Sequence, residues 1–497
     1  MSESRVNTVV VVGRDLDLWL SACVLKTALH RSGVSVTAVE LPTHLHASDV
    51  YATLPAMEAL HNLLRIEEAE MLASTRSVFS LGQNFIAHGT GQAYFHAYGA
   101  YGAAINTKPF FPHWLRAREL GANVSFEDFS LTAATAKHGR MLIPDRATES
   151  YGRTDYAYHL PAIDYVRFLK RLAQQRGVTT YQSTTAKLTQ DPLTEDISAV
   201  TLDDERHIGG HLFIDATGPE ALLIGATLKV PRESWSGHSP VDRVIVASSN
   251  AFASIPPYAE VRAHANGWVG LYPSRSCTQV IQAYSSDICT ANDALDSATT
   301  ISRLALRDAF NRTCAPGIRS RAWERNCVAI GGAACTFDPV HSVDVHAVHL
   351  GLVHLLSLFP AGEHVCAAER AEFNRVTRQA FERLRDFQSA HYLLNRYEPS
   401  AFWSRAREIT ASTELAHKIA TFRARGEMPL YEHETFSLDS WLAQFIGQGE
   451  VPETHDPTAD CTPPDVLKAE LKSILRFIKD KVLEQTPHDA YLKRLQA

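Results

Sequence analysis

The chain opens with an apolar run that ends in a glycine and leads into a second apolar stretch. Val9 to Val12 are four consecutive valines, which favours a strand buried on both faces of a parallel sheet. Gly13 follows, and apolar residues at helical spacing from about Trp19 to Leu29 predict a helix. A strand, a glycine turn and a helix are typical of the first unit of a dinucleotide-binding fold. The segment therefore predicts an α/β fold with a parallel sheet.

The glycines that such a fold uses to bind phosphate are mostly replaced here. In the pattern G-x-G-x-x-G, the second glycine lets the backbone approach a pyrophosphate, and the third lets the helix pack on the strand. The first position is Gly13, but the second is Asp15 and the third is Leu18. Asp15 and Asp17 would also place carboxylates at the helix N-terminus, where they would repel a phosphate. The sequence therefore predicts weakened binding of a dinucleotide cofactor.

The composition is that of a soluble globular protein. The chain has 497 residues, of which 45% are hydrophobic and 21% charged, and this length allows two or three domains. A net charge of −7 argues against nucleic acid as a partner. The longest apolar run, from Ala347 to Phe359, is too short to span a membrane. The eight cysteines show no paired spacing, so we expect reduced thiols and a cytoplasmic location.

Further apolar runs predict more strands. Residues Val34 to Glu40 alternate like a second parallel strand, and Glu40 at its end could bond a ribose hydroxyl or could simply face water. His211 to Gly218 is predicted as another strand that ends in a glycine turn, and Cys327 to Gly332 as a last short one. Val241 to Ile288 alternates apolar and polar residues, as an antiparallel sheet would.

The remaining regions are predicted as loops and helices. Residues 88 to 113 are rich in Gly, Tyr, Phe and His, which fits either an irregular surface over a pocket or aromatic packing within a loop. A buried helix is predicted from Val343 to Leu358. From His364 onward the chain is predicted to be mostly helical, with amphipathic stretches at Glu369–Asn395 and Val466–Leu483.

Six blocks of sequence, in their order and spacing, resemble the flavin-dependent tryptophan halogenases over nearly the whole chain. They are H-W-L-R-A-R-E-L-G (His113–Gly121), Y-A-Y-H-L-P-A (Tyr156–Ala162), L-F-I-D-A-T-G (Leu212–Gly218), R-A-W-E-R-N-C-V-A-I-G (Arg321–Gly331), F-D-P-V-H-S (Phe337–Ser342) and A-H-Y-L-L-N-R (Ala390–Arg396). The resemblance implies a Rossmann-like, FAD-binding flavin-monooxygenase core with an inserted β-rich substrate region and a helical C-terminal part. In this division the core comprises residues 1–84, 155–232 and 320–360, the substrate region 85–154 and 233–319, and the helical part 361–497.

The resemblance also implies the chemistry of the family and its catalytic positions. In that family reduced FAD reacts with oxygen, chloride is oxidised to hypochlorous acid, and a lysine and a glutamate direct this oxidant at an aromatic substrate. The lysine position corresponds to Ser80 in this chain and the glutamate position to His341. A serine hydroxyl lacks the charge and the nucleophilicity of a lysine amine. We therefore expect standard halogenation of tryptophan to be lost.

Residues that contact the cofactor and the substrate are carried over in the same way. The resemblance implies that FAD is contacted by Gly13, Glu40, Thr53, Gly218 and Gly332. The loop at residues 50–53 has lost the Gly-Glu pair of the family, so FAD is expected to bind weakly or not at all. The substrate is expected to meet an aromatic run together with two tryptophans, namely Tyr94, Phe95, His96, Trp268 and Trp323. A retained cavity lined partly by this run would bind an aromatic ligand.

Two hypotheses about function remain open. The first is a diverged FAD-dependent oxidoreductase, similar to a monooxygenase, that acts on an aromatic small molecule or a peptide-borne tryptophan and uses a flavin reductase. The second is a pseudoenzyme that keeps a ligand pocket and works beside an intact halogenase paralogue. Neither hypothesis includes nucleic acid or a membrane as a partner.

A group of histidines raises the question of a metal site. His346 and His349 are three residues apart on a predicted helix and could ligate a metal together with His341 or Asp344. Their apolar neighbours favour the alternative, in which the imidazoles are buried and bonded to the protein itself. We predict no metal site.

Overall fold

The computed structural model describes residues 6–87, 93–362 and 365–495. The chain divides into two compact units. The first unit consists of Met1–Arg76, Leu160–Ser236 and Cys314–Arg383, and the second of Ser77–His159, Gly237–Thr313 and Leu384–Ala497. Each unit is thus assembled from three separate segments of the chain.

A six-stranded sheet forms the centre of the first unit. From one edge to the other its strands are Trp323–Glu324, Cys327–Ala329, Leu212–Ala216, Thr8–Gly13, Ser35–Glu40 and Thr179–Gln182. All neighbouring strands are parallel except the first pair, Trp323–Glu324 with Cys327–Ala329. Val9 to Val12 are completely buried, as expected of a strand inside a parallel sheet. The predicted α/β fold with a parallel sheet is confirmed.

Helices and small sheets complete the first unit. Its helices are Asp15–Ala28, Met57–Leu63, Glu68–Thr75, Ala162–Gln175 and Asp344–Ser357. A further strand of this unit is Val50–Ala52. One small antiparallel sheet consists of Lys187–Gln190, Ile197–Thr201 and His207–Gly209. A second consists of Arg232–Ser234, Gly317–Arg319 and Cys335–Thr336. The first helix begins at Asp15 and not at Trp19 as predicted, because aspartates are favourable in the first turn of a helix.

A seven-stranded sheet forms the centre of the second unit. Its strands are, in order, Arg307–Thr313, Arg243–Ser249, Thr278–Tyr284, Gly267–Pro273, Ala259–His264, Gly82–Ala87 and Ala93–Ala97. Neighbours are antiparallel except Ala259–His264 and Gly82–Ala87, which are parallel. The antiparallel sheet predicted for Val241 to Ile288 is therefore confirmed.

Helices form most of the rest of the second unit. They are Phe110–Glu119, Leu131–Lys137, Arg146–Tyr151, Ala291–Ser302, Ala401–Ala406, Thr413–Arg425, Leu438–Gly447, Pro464–Glu484 and His488–Arg494. A short strand, Val78–Ser80, pairs with Ala157–Pro161. The helix Ala367–Leu393 contains the boundary between the two units. The amphipathic helices predicted near Glu369–Asn395 and Val466–Leu483 are thus present. Among the described residues, no helix combines the length and the apolar character needed to cross a bilayer.

The aromatic region at residues 88–113 is regular in part, and residues 98–109 within it form an irregular segment, as expected. Residues 88–92 lie outside the described part of the chain, as does His364. Ala93–Ala97 forms the edge strand of the seven-stranded sheet, and Phe110–Glu119 is a helix. Tyr94, Phe95 and His96 are all buried. Because successive side chains of a strand point to opposite faces, both faces of this strand are covered.

Candidate functional site

The candidate cofactor site lies in the first unit, where the parallel strands Thr8–Gly13 and Leu212–Ala216 end. A Cβ atom on Gly13 would lie 2.2 Å from the backbone oxygen of Ala216, so only glycine fits. The Arg14 N–H donates to that same oxygen at 3.2 Å, and the Leu41 N–H donates to the Gly13 oxygen at 2.8 Å. Gly13 therefore has a packing role that does not depend on any cofactor.

Asp15 follows at the position of the second glycine. Its φ of 55° lies in the left-handed region, which aspartate tolerates better than most residues. Its carboxylate accepts hydrogen bonds from Thr43 Oγ1 at 2.5 Å and from the His44 N–H at 3.0 Å. The side chain is thereby held against the loop that follows the second strand of the sheet.

Asp17 is partly buried one residue further into the first turn of the helix. Its carboxylate accepts the Gly332 N–H at 3.1 Å. A Cβ atom on Gly331, whose φ is 62°, would lie 2.2 Å from Asp17 Oδ2, so this loop closes tightly on the carboxylate. Burial raises the pKa of Asp17 to about 7, and repulsion from Asp344 and other carboxylates adds to the rise, while the Gly332 hydrogen bond opposes it.

Tyr51 lies beside the same helix turn. Burial raises the pKa of its hydroxyl well above the ordinary value, and the negative charges of Asp15, Asp17 and Asp49 raise it further. A hydrogen bond from the Leu16 backbone N–H lowers this pKa and so acts against these effects. The first turn of the helix is thus surrounded by two carboxylates and a neutral phenol.

Arg14, next to the glycine turn, is paired with other side chains of the first unit. Its guanidinium donates to Glu220 Oε2 at 3.1 Å and lies 3.0 Å from both ring nitrogens of His44. His44 Nδ1 in turn lies 3.5 Å from Glu220 Oε1. The charge of Arg14 is therefore neutralised within the protein.

Carboxylates at the N-terminus of the first helix are unfavourable neighbours for a bound phosphate. A phosphate at a helix N-terminus is bound by backbone N–H groups and by the positive end of the helix dipole. Here Asp15 and Asp17 carry carboxylates at that end, and the Leu16 N–H is bonded to Tyr51. Like charges about 4 Å apart repel by roughly 1 kcal/mol in water and by several times more when partly buried. Because the pKa of Asp17 is raised to about 7, its carboxyl group carries a full negative charge only above that pH.

Glu40 ends the second strand of the sheet, where a ribose-binding carboxylate was one of two expectations. Its oxygens accept hydrogen bonds from Trp19 Nε1 at 3.3 Å, Lys170 Nζ at 2.6 Å and Gln182 Nε2 at 2.9 Å. It lines a shallow cavity of about 430 Å³ together with Gln182 and Asp203. The carboxylate is therefore already engaged by three groups of the protein, and contact with a ribose stays a prediction.

Three other predicted cofactor residues also belong to the first unit. Thr53 is buried, and Gly218 follows strand Leu212–Ala216 with a φ of 79°. A Cβ atom on Gly332 would lie 3.2 Å from the Gly218 Cα, so these two glycines pack against each other. The structure brings the glycines together, while their contact with FAD stays a prediction.

Sequence reasoning did not single out Asp215 in the block L-F-I-D-A-T-G. This fully buried carboxylate accepts hydrogen bonds from the N–H and hydroxyl of Thr217 and from the N–H groups of Leu223 and Ile224, all between 2.6 and 3.1 Å. Burial raises its pKa, and the hydrogen bonds oppose that rise. An aspartate inside an apolar strand was the available signal, since a buried carboxylate needs such partners.

The two positions that correspond to the family's lysine and glutamate lie in different units. Ser80, in the second unit, is buried at the end of strand Val78–Ser80, and its hydroxyl donates to the Gly82 oxygen at 3.3 Å. His341, in the first unit, is buried with a φ of 67°, and Ser342 follows with a φ of 52°. Two consecutive residues in the left-handed region form the turn that precedes helix Asp344–Ser357.

The helix histidines pack against each other. The rings of His346 and His349 are perpendicular, with centroids 5.4 Å apart. Burial lowers the pKa of His346 to about 3 and that of His349 to about 4, so both are neutral near pH 7. Within residues 6–87, 93–362 and 365–495, no group of three or more His, Cys, Asp or Glu side chains is placed to hold a metal ion.

The aromatic run of the second unit is packed inside the protein. The Tyr94 ring stacks on Phe85 with centroids 4.9 Å apart, and its hydroxyl lies 3.2 Å from His391 Nδ1. Phe95 is fully buried. His96 lies among aromatic rings that include Phe387, and burial lowers its pKa to about 4.

Both predicted tryptophans are also fully buried, one in each unit. In the second unit, Trp268 Nε1 donates to the Tyr392 hydroxyl at 3.0 Å. In the first unit, Trp323 Nε1 donates to the Arg325 oxygen at 3.0 Å, and its ring packs edge-on against Phe373. The indole N–H groups are therefore bonded within the protein, and contact with a substrate stays a prediction.

The second unit contains a cavity of about 340 Å³ next to this run. Part of its lining is aromatic and part is charged, with Tyr94, Phe95, Tyr101, Trp114, Arg118 and Glu127 among the lining residues. Its volume is at the lower end of the range of ligand pockets, about 300–1,000 Å³. Binding of an aromatic ligand in this cavity stays a prediction.

Comparison with known proteins agrees with this architecture. A sequence model described as tryptophan halogenase matches residues 8–464. The chain is 27% identical to the tryptophan 7-halogenase KtzQ of Kutzneria sp. (strain 744), a match that covers 100% of this chain and 99% of that protein.

Solved structures agree as well. BrvH, a flavin-dependent halogenase from Brevundimonas sp. BAL3, is similar with a TM-score of 0.94 and 30% identity over 99% of this chain and 100% of that one. A flavin-dependent halogenase from Xanthomonas campestris gives a TM-score of 0.94 and 30% identity over 99% of both chains. On the sequence match over residues 8–464 and this likeness in fold, the chain belongs to the tryptophan halogenase family.

Proposed function

We propose that this chain is a member of the tryptophan halogenase family in which the flavin-dependent halogenation of tryptophan has been lost and the binding of an aromatic ligand retained. In this role it works as a pseudoenzyme, beside an intact paralogue that carries out the chemistry. The observation that carries the proposal is the first turn of helix Asp15–Ala28, which contains the carboxylates of Asp15 and Asp17. In a dinucleotide-binding fold the pyrophosphate lies at this helix N-terminus.

The substituted catalytic positions support the same proposal. Ser80 has no amine with which to hold or activate hypochlorous acid, and its hydroxyl is bonded to the main chain. His341 offers an imidazole where the family has a carboxylate. A group that accepts a proton from the reactants, or that positions them, must lie within hydrogen-bond distance and have the right charge. Neither substitution is conservative, so the two changes together argue against the family's standard reaction.

The first test concerns cofactor affinity. We expect FAD to bind the unmodified protein with a dissociation constant well above micromolar, that is, with less than about 8 kcal/mol of binding free energy. The double variant Asp15→Gly/Asp17→Asn removes both carboxylates and should lower this constant about tenfold, because it abolishes their repulsion of the phosphates. Quenching of flavin fluorescence during titration measures both constants.

The control for this test removes two charges elsewhere. Glu67→Gln/Glu70→Gln changes two exposed glutamates near helix Glu68–Thr75 and should leave FAD affinity unchanged. Tight, stoichiometric, yellow FAD in the unmodified protein would show that the aspartates do not exclude the pyrophosphate. Equal gains in the double variant and the control would show that only net charge matters.

The second test concerns the reaction. Supplied with reduced FAD, oxygen and chloride or bromide, the protein should form no halotryptophan from free tryptophan, because the lysine and glutamate positions hold Ser80 and His341. Mass spectrometry compares the product with a boiled-protein blank and with an active halogenase under the same conditions. Halotryptophan above the blank would contradict the proposal.

A second candidate function is a diverged flavin-dependent oxidoreductase of the same family. The match along the full length of KtzQ favours it, since the whole framework of a catalytic relative is kept. Such an enzyme would act on an aromatic small molecule or a peptide-borne tryptophan and would receive reduced flavin from a reductase. Tight FAD binding together with an absence of halotryptophan would favour this candidate over the pseudoenzyme.

A further inference from the structure

Two neighbouring cavities lie on one side of the second unit. The first, of about 340 Å³, is the cavity next to the aromatic run. The second, of about 390 Å³, lies between helices Phe110–Glu119 and Pro464–Glu484. Ala122 and Val124 line both cavities, so the two cavities adjoin each other on this surface.

The second cavity is an apolar groove, here called the leucine groove, with walls that include Leu120, Leu467, Leu471 and Leu475. The last three leucines are four residues apart and so lie on one face of their helix. Leu467 and Leu471 are buried, whereas Leu120 is 55% exposed at the opposite wall. From Leu467 to Leu475 the groove runs about 12 Å along the helix, a length matched by roughly four extended residues.

Positive charges line the same surface. Lys468 and Lys472, one turn apart, are exposed and line the leucine groove. Arg118 lines the first cavity, with its guanidinium 4.9 Å from the ring centre of Trp114. Among the described residues, none of these three side chains forms an ion pair. The residues that line the two cavities thus carry these three positive charges and the one negative charge of Glu127, on a chain whose net charge is −7.

Two carboxylates near the cavities already have partners within the protein. Glu127, in the first cavity, bonds Lys137 at 2.6 Å and the Phe95 N–H at 2.9 Å. Glu119, next to Leu120, lies 3.0 Å from His455 Nδ1. These two acids are therefore bound by groups other than Arg118, Lys468 and Lys472.

We propose that the leucine groove docks an acidic peptide segment of a partner protein. The apolar side chains of this peptide enter the groove between Leu120 and Leu471. The carboxylates of the peptide pair with Lys468, Lys472 and Arg118. Apolar burial supplies affinity, while the charges supply specificity and faster association. The concave shape argues against a lipid surface, because Leu467 and Leu471 are recessed and a flat bilayer would not reach them.

The experiment selects peptides from a displayed random library on the purified full-length protein. The same selection on Lys468→Glu/Lys472→Glu provides the comparison, since both lysines are exposed and their reversal should leave folding intact. Peptides enriched on the unmodified protein should combine Glu or Asp with Leu, Phe or Trp. The best peptide, labelled with fluorescein, should bind the charge-reversed variant at least tenfold more weakly by fluorescence anisotropy.

Two further variants refine the result. Lys187→Glu/Lys229→Glu reverses two exposed lysines of the first unit, neither of which lines the groove, and should not change peptide affinity. Leu120→Ala trims the exposed apolar wall and should weaken binding a few-fold. Circular dichroism and thermal unfolding confirm that each variant is folded.

Several outcomes would overturn the proposal. The selection could enrich no sequence, or it could enrich peptides that are basic or neutral. The affinity for the best peptide could also fall equally in Lys468→Glu/Lys472→Glu and in Lys187→Glu/Lys229→Glu. Protein that sediments with phosphatidylserine vesicles but binds no peptide would assign the surface to a membrane. Sedimentation velocity could show that the unmodified protein is a dimer and that Lys468→Glu/Lys472→Glu is a monomer. That result would assign the surface to a second copy of the chain. None of these outcomes depends on whether FAD binds or tryptophan is halogenated.

Discussion

Replacing Lys418 with methionine should lower the free energy of unfolding by about 3–5 kcal/mol, the usual cost of breaking a buried ion pair from one side. The Lys418 side chain is 2% exposed, and its ammonium lies 2.6 Å from Glu434 Oε1, on a side chain that is 7% exposed. The ammonium also lies 4.6 Å from the ring centres of Tyr431 and Trp441. Methionine keeps the apolar stem but leaves the Glu434 carboxylate buried without its cation.

Urea denaturation followed by circular dichroism measures this loss. Lys137→Met is the matched control, because the pair of Lys137 with Glu127 is 36% and 22% exposed and should contribute less than about 1 kcal/mol. The double variant Lys418→Met/Glu434→Gln removes the stranded charge and should recover part of the loss. Losses of similar size in Lys418→Met and Lys137→Met would show that burial does not strengthen the pair.

Asp17→Asn should stabilise the protein at pH 8 and have little effect below pH 4. Burial raises the pKa of Asp17 from 3.8 to about 7 in the folded protein. The folded state therefore keeps a proton that the unfolded state has already released between these values, and stability falls as the pH rises through this window. Asparagine carries no charge and can still accept the Gly332 N–H. We expect a gain of about 1–3 kcal/mol, a range reduced because Asp17 is only partly buried.

Urea denaturation at a series of pH values from 4 to 8 tests this prediction. Glu67→Gln, which neutralises an exposed acid of the same unit, serves as the control and should produce no comparable trend. A gain for Asp17→Asn that is the same at pH 4 and at pH 8 would contradict the titration of Asp17. A loss of stability at pH 8 would show that its charge is needed by the Gly332 loop.

The parallel core and its entry into the first helix could be predicted from the sequence because their signals are local. Four consecutive valines suit a strand buried on both faces, and all four are buried. Gly13 marks the turn at which the chain passes close to Ala216. The predicted start of helix Asp15–Ala28 was wrong because an aspartate is compatible with either a loop or the start of a helix. Which of the two it adopts depends on the backbone N–H groups that lie next to it.

The aromatic edge strand could not be predicted in this way. The composition of Ala93–Ala97 suits a loop or a strand equally well, and its pairing partner Gly82–Ala87 gives no local sign of the match. Tyr94 is held by Phe85 on one side, while a Cβ atom on Gly447 would lie 2.2 Å from Tyr94 Cγ on another. The contact of Tyr94 with Gly447 joins residues more than three hundred positions apart, beyond the reach of a periodic pattern.

By itself, the sequence determined the fold class, the family and the loss of the phosphate-binding glycines, since each of these depends on residue types at fixed spacing. Only the tertiary structure decided what replaced the glycines. It placed Gly332 and Asp344 beside Asp17, although both lie more than three hundred residues away in the chain, and it set Tyr51 against the same helix turn. The physical reason is burial. The pKa of a carboxylate and its repulsion of other negative charges depend on the groups that surround it in space, and the local sequence does not specify those groups.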